Sequence, residues 1–172
     1  MENIFKRGTT LTIPPTEELV INEANIRQSL AKVIQREKDR GNEIKVGIDY
    51  GVWSGVFKNV TMPKIIKSFT SVIHRFTQVV SHRQIREEAD KVSVKKDWNI
   101  AEAWNIIIAG ILAGEVDIKG IGIFAYTKIE SEYTSFRLEA QRGNDNKLRI
   151  TIFWTHFDEE FDTGYGISLL EN

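Results

Sequence analysis

Apolar residues recur at helical spacing in the first third of the chain. Asn22 is a suitable helix N-cap, and Ile26, Leu30 and Val33 follow it at intervals of four and three residues. Cations and then a glycine close the pattern, as they do at many helix ends. The pattern predicts a helix over about 22–40.

A more regular apolar seam lies in the middle of the chain. Its members are separated by alternating intervals of four and three residues, as on one face of an α-helix, and they are Ile65, Phe69, Val72, Phe76 and Val79. The seam predicts a helix over about 63–80. Ser81 and Gln84 then form a capping box that predicts another helix, with Ile85 and Ala89 on its buried side.

A second capping box, Asn99 with Glu102, precedes a stretch that is apolar on nearly every side. A helix without a polar face belongs in the centre of a protein. We therefore expect the helix after Asn99 to be buried and to end at Gly114.

Alternation of apolar and polar residues predicts strands towards both ends of the chain. The predicted strands span 8–13, 43–50, 119–127, 132–140, 147–157 and 165–170. In the far half of 147–157 both faces are apolar or aromatic, so we expect that half to be covered on both sides. Because its edge would pair readily, this strand is also a candidate for extending the sheet across a dimer.

These elements predict an α+β fold in a single globular domain, 1–172. The fold consists of an N-terminal strand-helix-strand unit, a helical middle segment and a C-terminal antiparallel β-meander, which short turns favour. We expect the isoleucine-rich helices to stack on one face of the sheet.

Composition excludes several classes of protein. The chain has 172 residues, of which 41% are hydrophobic and 27% charged, and these proportions are typical of globular domains rather than of disorder. It contains no cysteine, which excludes disulfides and thiolate chemistry. No apolar run approaches a membrane span, and the polar start is unlike a signal peptide. We expect a cytoplasmic protein that does not enter a membrane.

The net charge of −1 is a cancellation between two segments. Segment 58–96 carries nine basic residues against three acidic ones, which gives +6, whereas 150–172 has no basic residue and carries −5. Such opposed segments can meet each other, a partner protein or nucleic acid. On the predicted helices the basic face consists of Lys64, Lys67, Arg75, Arg83 and Arg86.

Arg75 and His82 are separated by six residues, and this spacing resembles the RNA-cleaving motif of HEPN-fold ribonucleases. The resemblance implies that the arginine stabilises charge on the phosphorane and that the histidine moves a proton. The alternative is that both residues are simply the polar end of an amphipathic helix.

Asp49 follows an alternating strand and precedes Gly51, and this arrangement resembles the first strand of actin-like ATPases and RNase H-like nucleases. The resemblance implies that Asp49 holds a metal ion. Asp117 and Lys119 likewise resemble the metal-and-lysine half of PD-(D/E)xK nucleases. The alternative is that these residues belong to a glycine turn and to the polar start of a strand.

His156 and Asp158 share a face of the last long predicted strand and are weak candidates for metal ligands. Consecutive acidic residues at a strand end more often form a solvated turn. The three histidines show no zinc-hydrolase spacing, and the chain has no phosphate-binding glycine loop. No cofactor is therefore expected.

The preferred hypothesis is a non-catalytic protein-binding module of the inhibitor, antitoxin, immunity or assembly-factor type that forms homodimers. Its opposed charges suit docking by electrostatic complementarity. The alternative hypothesis is a nucleic-acid-binding protein, or a metal-dependent or HEPN-like nuclease, that uses the basic segment and Arg75, His82 and Asp49.

Overall fold

The computed structural model describes residues 3–42, 60–95, 97–129, 132–155 and 158–171. The fold is α+β, as predicted. The predicted strand over 43–50, which contains Asp49, lies outside the described residues, and so does His156.

The described helices are α1 (Glu23–Ser29), α2 (Ala31–Asp39), α3 (His82–Val92), α4 (Ile100–Leu112) and α5 (Glu115–Ile118). The longer strands are β1 (Phe5–Ile13), β4 (Phe69–Phe76), β8 (Ile121–Ile129), β9 (Glu132–Arg142), β10 (Leu148–Trp154) and β12 (Gly166–Glu171). The short strands are β2 (Leu19–Val20), β3 (Thr61–Met62), β5 (Val80–Ser81), β6 (Ser93–Lys95), β7 (Trp98–Asn99) and β11 (Glu160–Phe161).

The long strands form one sheet in the order β1-β4-β12-β8-β9-β10. The strands β8, β9 and β10 form the predicted antiparallel meander. The strand β12 does not continue this meander. It lies between β4 and β8, antiparallel to the first and parallel to the second, and so joins the two halves of the sheet.

Helices cover both faces of the sheet. On one face α4 packs against β8 and β1, and its residues Trp104, Ile106 and Ile107 are at most 1% exposed. On the other face Ile85 and Ala89 of α3 pack in a separate apolar cluster with aromatic residues of the strands. Alternate residues of β8 contribute to the two clusters, because successive side chains of a strand point in opposite directions.

The local helix signals are confirmed. Asn99 and Glu102 form the predicted capping box, and Asn99 Oδ1 accepts a hydrogen bond from the amide of Glu102 at 2.9 Å. Ser81 and Gln84 form the other box. Asn22 caps α1 as predicted, but the expected helix over 22–40 breaks at Leu30 into α1 and α2.

The predicted helix over 63–80 is wrong, because its centre is the strand β4. Since β4 lies between β1 and β12 and is buried on both faces, its apolar residues do not alternate with polar ones, and their spacing imitates a helical seam. Ile73 faces the α4 side, whereas Phe76 faces the α3 side. Val79, which the seam would bury, is 53% exposed.

An ion-pair network joins α2, α5 and the end of β9. Arg142 donates to both carboxylate oxygens of Glu37, at 2.8 and 2.9 Å, and also contacts Asp117 at 2.8 Å. Arg36 and Arg40 donate to the other oxygen of Asp117, at 2.7 and 2.6 Å. Burial opposes ionisation of Asp117, but these three arginines outweigh it and hold the pKa of Asp117 at about 2.

This depressed pKa predicts a loss of stability in acid. The contribution of Asp117 is complete above its unfolded pKa near 3.8 and is lost as the pH falls through about 2. Asp117→Asn should therefore lower the free energy of unfolding at pH 7 and flatten its decline between about pH 4 and 2. Urea denaturation across this range measures both effects. Asp39→Asn, on the exposed end of α2, is the matched control, and an equal slope in the two variants would contradict the assignment.

Candidate functional site

Arg75 lies on β4 and its guanidinium is enclosed by the protein. It forms an ion pair with the buried carboxylate of Glu115 and donates to the main-chain carbonyl of Glu115 at 2.8 Å. It also donates to the carbonyls of Gly164, Lys119 and Gly120, at 3.0, 3.2 and 3.3 Å. Arg75 thus ties the loops before β8 and β12 to the sheet.

His82 is the first residue of α3, and its side chain is buried. The imidazole stacks on Phe124 with ring centroids 4.7 Å apart. Arg86 Nε donates to His82 Nε2 at 3.1 Å, and Arg86 also pairs with Asp97 at 2.6 Å. Phe124 belongs to the α3 face of the sheet, whereas Arg75 points to the α4 face, so the sheet separates the two residues of the predicted ribonuclease motif.

The predicted basic helical face is not formed, because β4 replaces the helix that would carry it. Lys64 and Lys67 are exposed in the segment before β4, and Arg83 is exposed on α3. The two lysines line a shallow cavity of about 360 Å³ together with Lys95, whose ammonium is held by Glu102 at 2.6 Å. The cations of segment 58–96 are therefore distributed over separate elements.

The acidic segment pairs with cations from other parts of the chain. Glu159 binds Arg137 at 2.5 Å, Asp162 lies 3.5 Å from Lys119, and Glu171 binds Arg7 at 2.9 Å. None of these three cations belongs to segment 58–96. Asp158 is exposed, and the described residues contain no group of three histidine or acidic side chains that could hold a metal ion.

The sequence did not indicate a buried polar cluster on the α3 face of β9. Arg137 is 4% exposed and lies between the rings of Phe153 and Phe161, whose centroids are 5.0 and 4.7 Å from its guanidinium carbon. Its Nε is buried and has no hydrogen-bond partner among the described residues. Glu139 lies 3.2 Å from the guanidinium and accepts a hydrogen bond from the Tyr165 hydroxyl at 2.5 Å.

Burial and the neighbouring carboxylate of Glu139 raise the pKa of Tyr165 well above 10, so its hydroxyl is a proton donor at neutral pH. The Tyr165 hydroxyl lies over Gly122 of β8, where a Cβ atom would clash with it. Glycine is therefore required at this strand position. The side chains of the cluster fill its interior. They pack β9 against the segment that connects β10 to β12.

A larger cavity, of about 660 Å³, lies beside α1, α2 and α4. Its apolar wall includes Trp104 and Ile108, while Glu17, Glu18 and Lys32, which also line it, are all exposed. Small-molecule sites usually place a few polar groups inside an apolar pocket to orient the ligand. The charged residues described around this cavity lie at its solvent-exposed margin instead.

The outer edge of β10 is one of the two edges of the main sheet among the described residues. One side of β10 pairs with β9, and no strand among the described residues pairs with the other side. Phe153 and Trp154, at the end of β10, are 37% and 43% exposed. Phe153 and Trp154 therefore do not meet the expectation that this half of the strand is covered on both sides, and they present an aromatic side chain on each face. Residues 156 and 157 of that half lie outside the described residues.

Comparison of the chain with protein-family models, curated proteins and solved structures found no match. Among the described residues, no helix is both long and apolar enough to cross a membrane.

The surroundings of Arg75 predict a structural role for it. Arg75→Met should lower the free energy of unfolding by about 3–5 kcal/mol, because it leaves the Glu115 carboxylate buried without its cation. The double variant Arg75→Met/Glu115→Leu should recover part of this loss, since it removes the unpaired charge as well. Urea denaturation measures both values. Arg83→Met, at an exposed position, is the control, and an equal cost for the two single arginine variants would refute the role.

Proposed function

We propose that this chain is a non-catalytic protein-binding module of the cytosol, and that it binds its partner by adding a strand to the outer edge of β10. In this mode the main chain provides most of the hydrogen bonds, and alternate side chains provide specificity. The observation that carries the proposal is the outer edge of β10, with which no described strand pairs, together with the exposure of Phe153 and Trp154 beside it.

The two edges of the sheet differ in a way that favours β10. Proteins commonly protect sheet edges with charged residues, bulges or short strands. The edge strand β1 carries Lys6 and Arg7 and has a bulge between Arg7 and Thr10. By contrast, β10 pairs with β9 in unbroken register over seven residues, contains no proline or glycine, and has Arg149 as its only charged side chain.

The surroundings of the predicted catalytic residues favour binding over catalysis. The donors of Arg75 are directed to Glu115 and to main-chain carbonyls, and His82 is stacked on Phe124 and accepts a hydrogen bond from Arg86. The nucleic-acid alternative has less support, because the described basic residues of segment 58–96 lie on separate elements, whereas phosphate contacts need clustered cations. Arg75 and His82 thus serve the packing of the protein that presents the β10 edge.

A peptide with the sequence of residues 147–155 should bind the chain, and Trp154→Ala should weaken this binding at least about tenfold, which corresponds to about 1.4 kcal/mol. The indole of Trp154 would lie beside the added strand. Because Trp154 is only about half-buried, at 43% exposure, the same substitution should lower the free energy of unfolding by no more than about 2 kcal/mol and leave the chain folded. Surface plasmon resonance on chain immobilised at low density measures the affinity, and urea denaturation measures the stability.

Two controls accompany this measurement. Val79→Ala removes an exposed apolar side chain away from β10 and should leave peptide affinity unchanged. A peptide with proline in place of Thr151 should not bind, since proline disrupts an added strand. Failure of the unmodified peptide to bind, or equal binding by the proline peptide, would overturn the proposal.

A further inference from the structure

We propose that the strand added to β10 is the β10 of a second copy of this chain, paired antiparallel about a two-fold axis at Thr151. This inference rests on the proposed function of the β10 edge and names its partner. It is carried by the order of side chains in β10 (Leu148–Trp154), which is self-complementary about its central residue.

The geometry of a continuous sheet limits where the axis can lie. Residues directly opposite each other in an antiparallel pair must point to the same face of the sheet. Because side chains alternate along each strand, a two-fold axis perpendicular to the sheet must place one residue of the strand directly opposite the same residue of the second copy. An axis level with the midpoint between two neighbouring residues would pair side chains from opposite faces. Within β10 the central residue is Thr151, and only an axis there pairs all seven residues of the strand with residues of the other copy.

This register matches the side chains on both faces. On the α4 face, Ile150 lies opposite Ile152 of the second copy, and Leu148 lies opposite its Trp154. On the α3 face, Thr151 lies opposite Thr151 of the second copy. Apolar and threonine pairs of this kind stabilise antiparallel sheets. Trp154, which is 43% exposed in the single chain, gains an apolar neighbour from the second copy.

The charges of β10 also suit this register. Arg149 would lie opposite Phe153 of the second copy, where a guanidinium can pack on an aromatic ring. The two Arg149 side chains would be separated by four residues along the strand, so like charges do not meet. In the single chain Arg149 pairs with Asp145 at 3.1 Å, and both side chains are at least 40% exposed. Exposed ion pairs of this kind contribute little to stability.

Shifting the axis by one residue gives poorer pairs. An axis at Ile150 places Trp154 opposite Asn146 and Phe153 opposite Lys147, both of which precede the strand. An axis at Ile152 leaves Leu148 and Arg149 opposite residues that follow the strand. Each shift reduces the number of paired β10 residues from seven to five.

A charge-swap experiment tests both the partner and the register. Thr151→Lys and Thr151→Glu each place like charges face to face at the axis, so each variant alone should dissociate at least tenfold more readily than the unmodified chain. An equimolar mixture of the two should dimerise again, because Lys then faces Glu. Sedimentation velocity over a concentration series measures the dimer, and circular dichroism checks that both variants are folded.

A cysteine cross-link provides an independent test of the register. The chain has no cysteine, so an introduced thiol is the only one that can react. Thr151→Cys should give a covalent dimer with a short bifunctional maleimide, because cross-strand neighbours at the axis lie within about 5.5 Å of each other. Lys6→Cys, at an exposed position of the other edge strand β1, should not.

The outcomes separate this inference from the proposed function. Dimerisation that is rescued by the charge-swap mixture, together with cross-linking at position 151, supports the inference. A chain that remains monomeric but binds the 147–155 peptide overturns the second copy as partner and leaves the proposed function standing. A dimer that persists in both single variants and does not cross-link at position 151 overturns the β10 register. A chain that neither dimerises nor binds the peptide overturns both proposals.

Discussion

The central sheet is covered by helices on both faces, and this constraint determines how its polar residues are used. A polar group buried in such a layer has little access to water, and most such groups are hydrogen-bonded within the protein. Arg75 is satisfied by Glu115 and by main-chain carbonyls, and the hydroxyls of Ser71 and Ser168 hydrogen-bond to each other between neighbouring strands. Arg75, which the sequence presents as a candidate catalytic residue, therefore helps the sheet to be buried on both faces.

The constraint is different at the edge of the sheet. In the interior, paired strands satisfy the main chain, whereas β10 keeps one side of its main chain unpaired among the described residues. Its exposed aromatic residues are beside that unpaired side. Phe153 has a second role, because its ring also packs on the buried guanidinium of Arg137. The outer edge of β10 and the polar cluster behind it thus share a side chain.

The features that could be predicted from the sequence are those that depend on residues close together in the chain. The capping boxes at Ser81 and Asn99 and the meander after α4 are of this kind, since a few adjacent residues or a short turn specify each of them. The helix over 63–80 was wrong because hydrophobic spacing alone does not distinguish a helix face from a strand buried on both sides. The strand preference of its β-branched and aromatic residues was the signal that could have corrected it.

The buried cluster around Arg137 and the exposed edge of β10 were less predictable than the fold, because each depends on segments that are distant in the sequence. Arg137 and Glu139 occupied the polar face of a predicted strand, which normally faces water. Their partners Glu159 and Tyr165 lie 22 and 26 residues further along the chain. The exposure of Trp154 depends likewise on which strand forms the edge of the sheet, and strand order is a tertiary property.

The position of β12 has a consequence for how the chain folds. The strands β1 and β4 on one side, and β8, β9 and β10 on the other, contact each other through a strand that follows all of them in the sequence. During synthesis these two halves leave the ribosome before Gly166–Glu171, so the edge of β4 and the start of β8 at Ile121 and Gly122 lack their partner until β12 is inserted between them. Because such non-local pairing slows folding, we expect insertion of β12 to be a late step, and the unpaired strand edges are exposed to misassembly until it occurs.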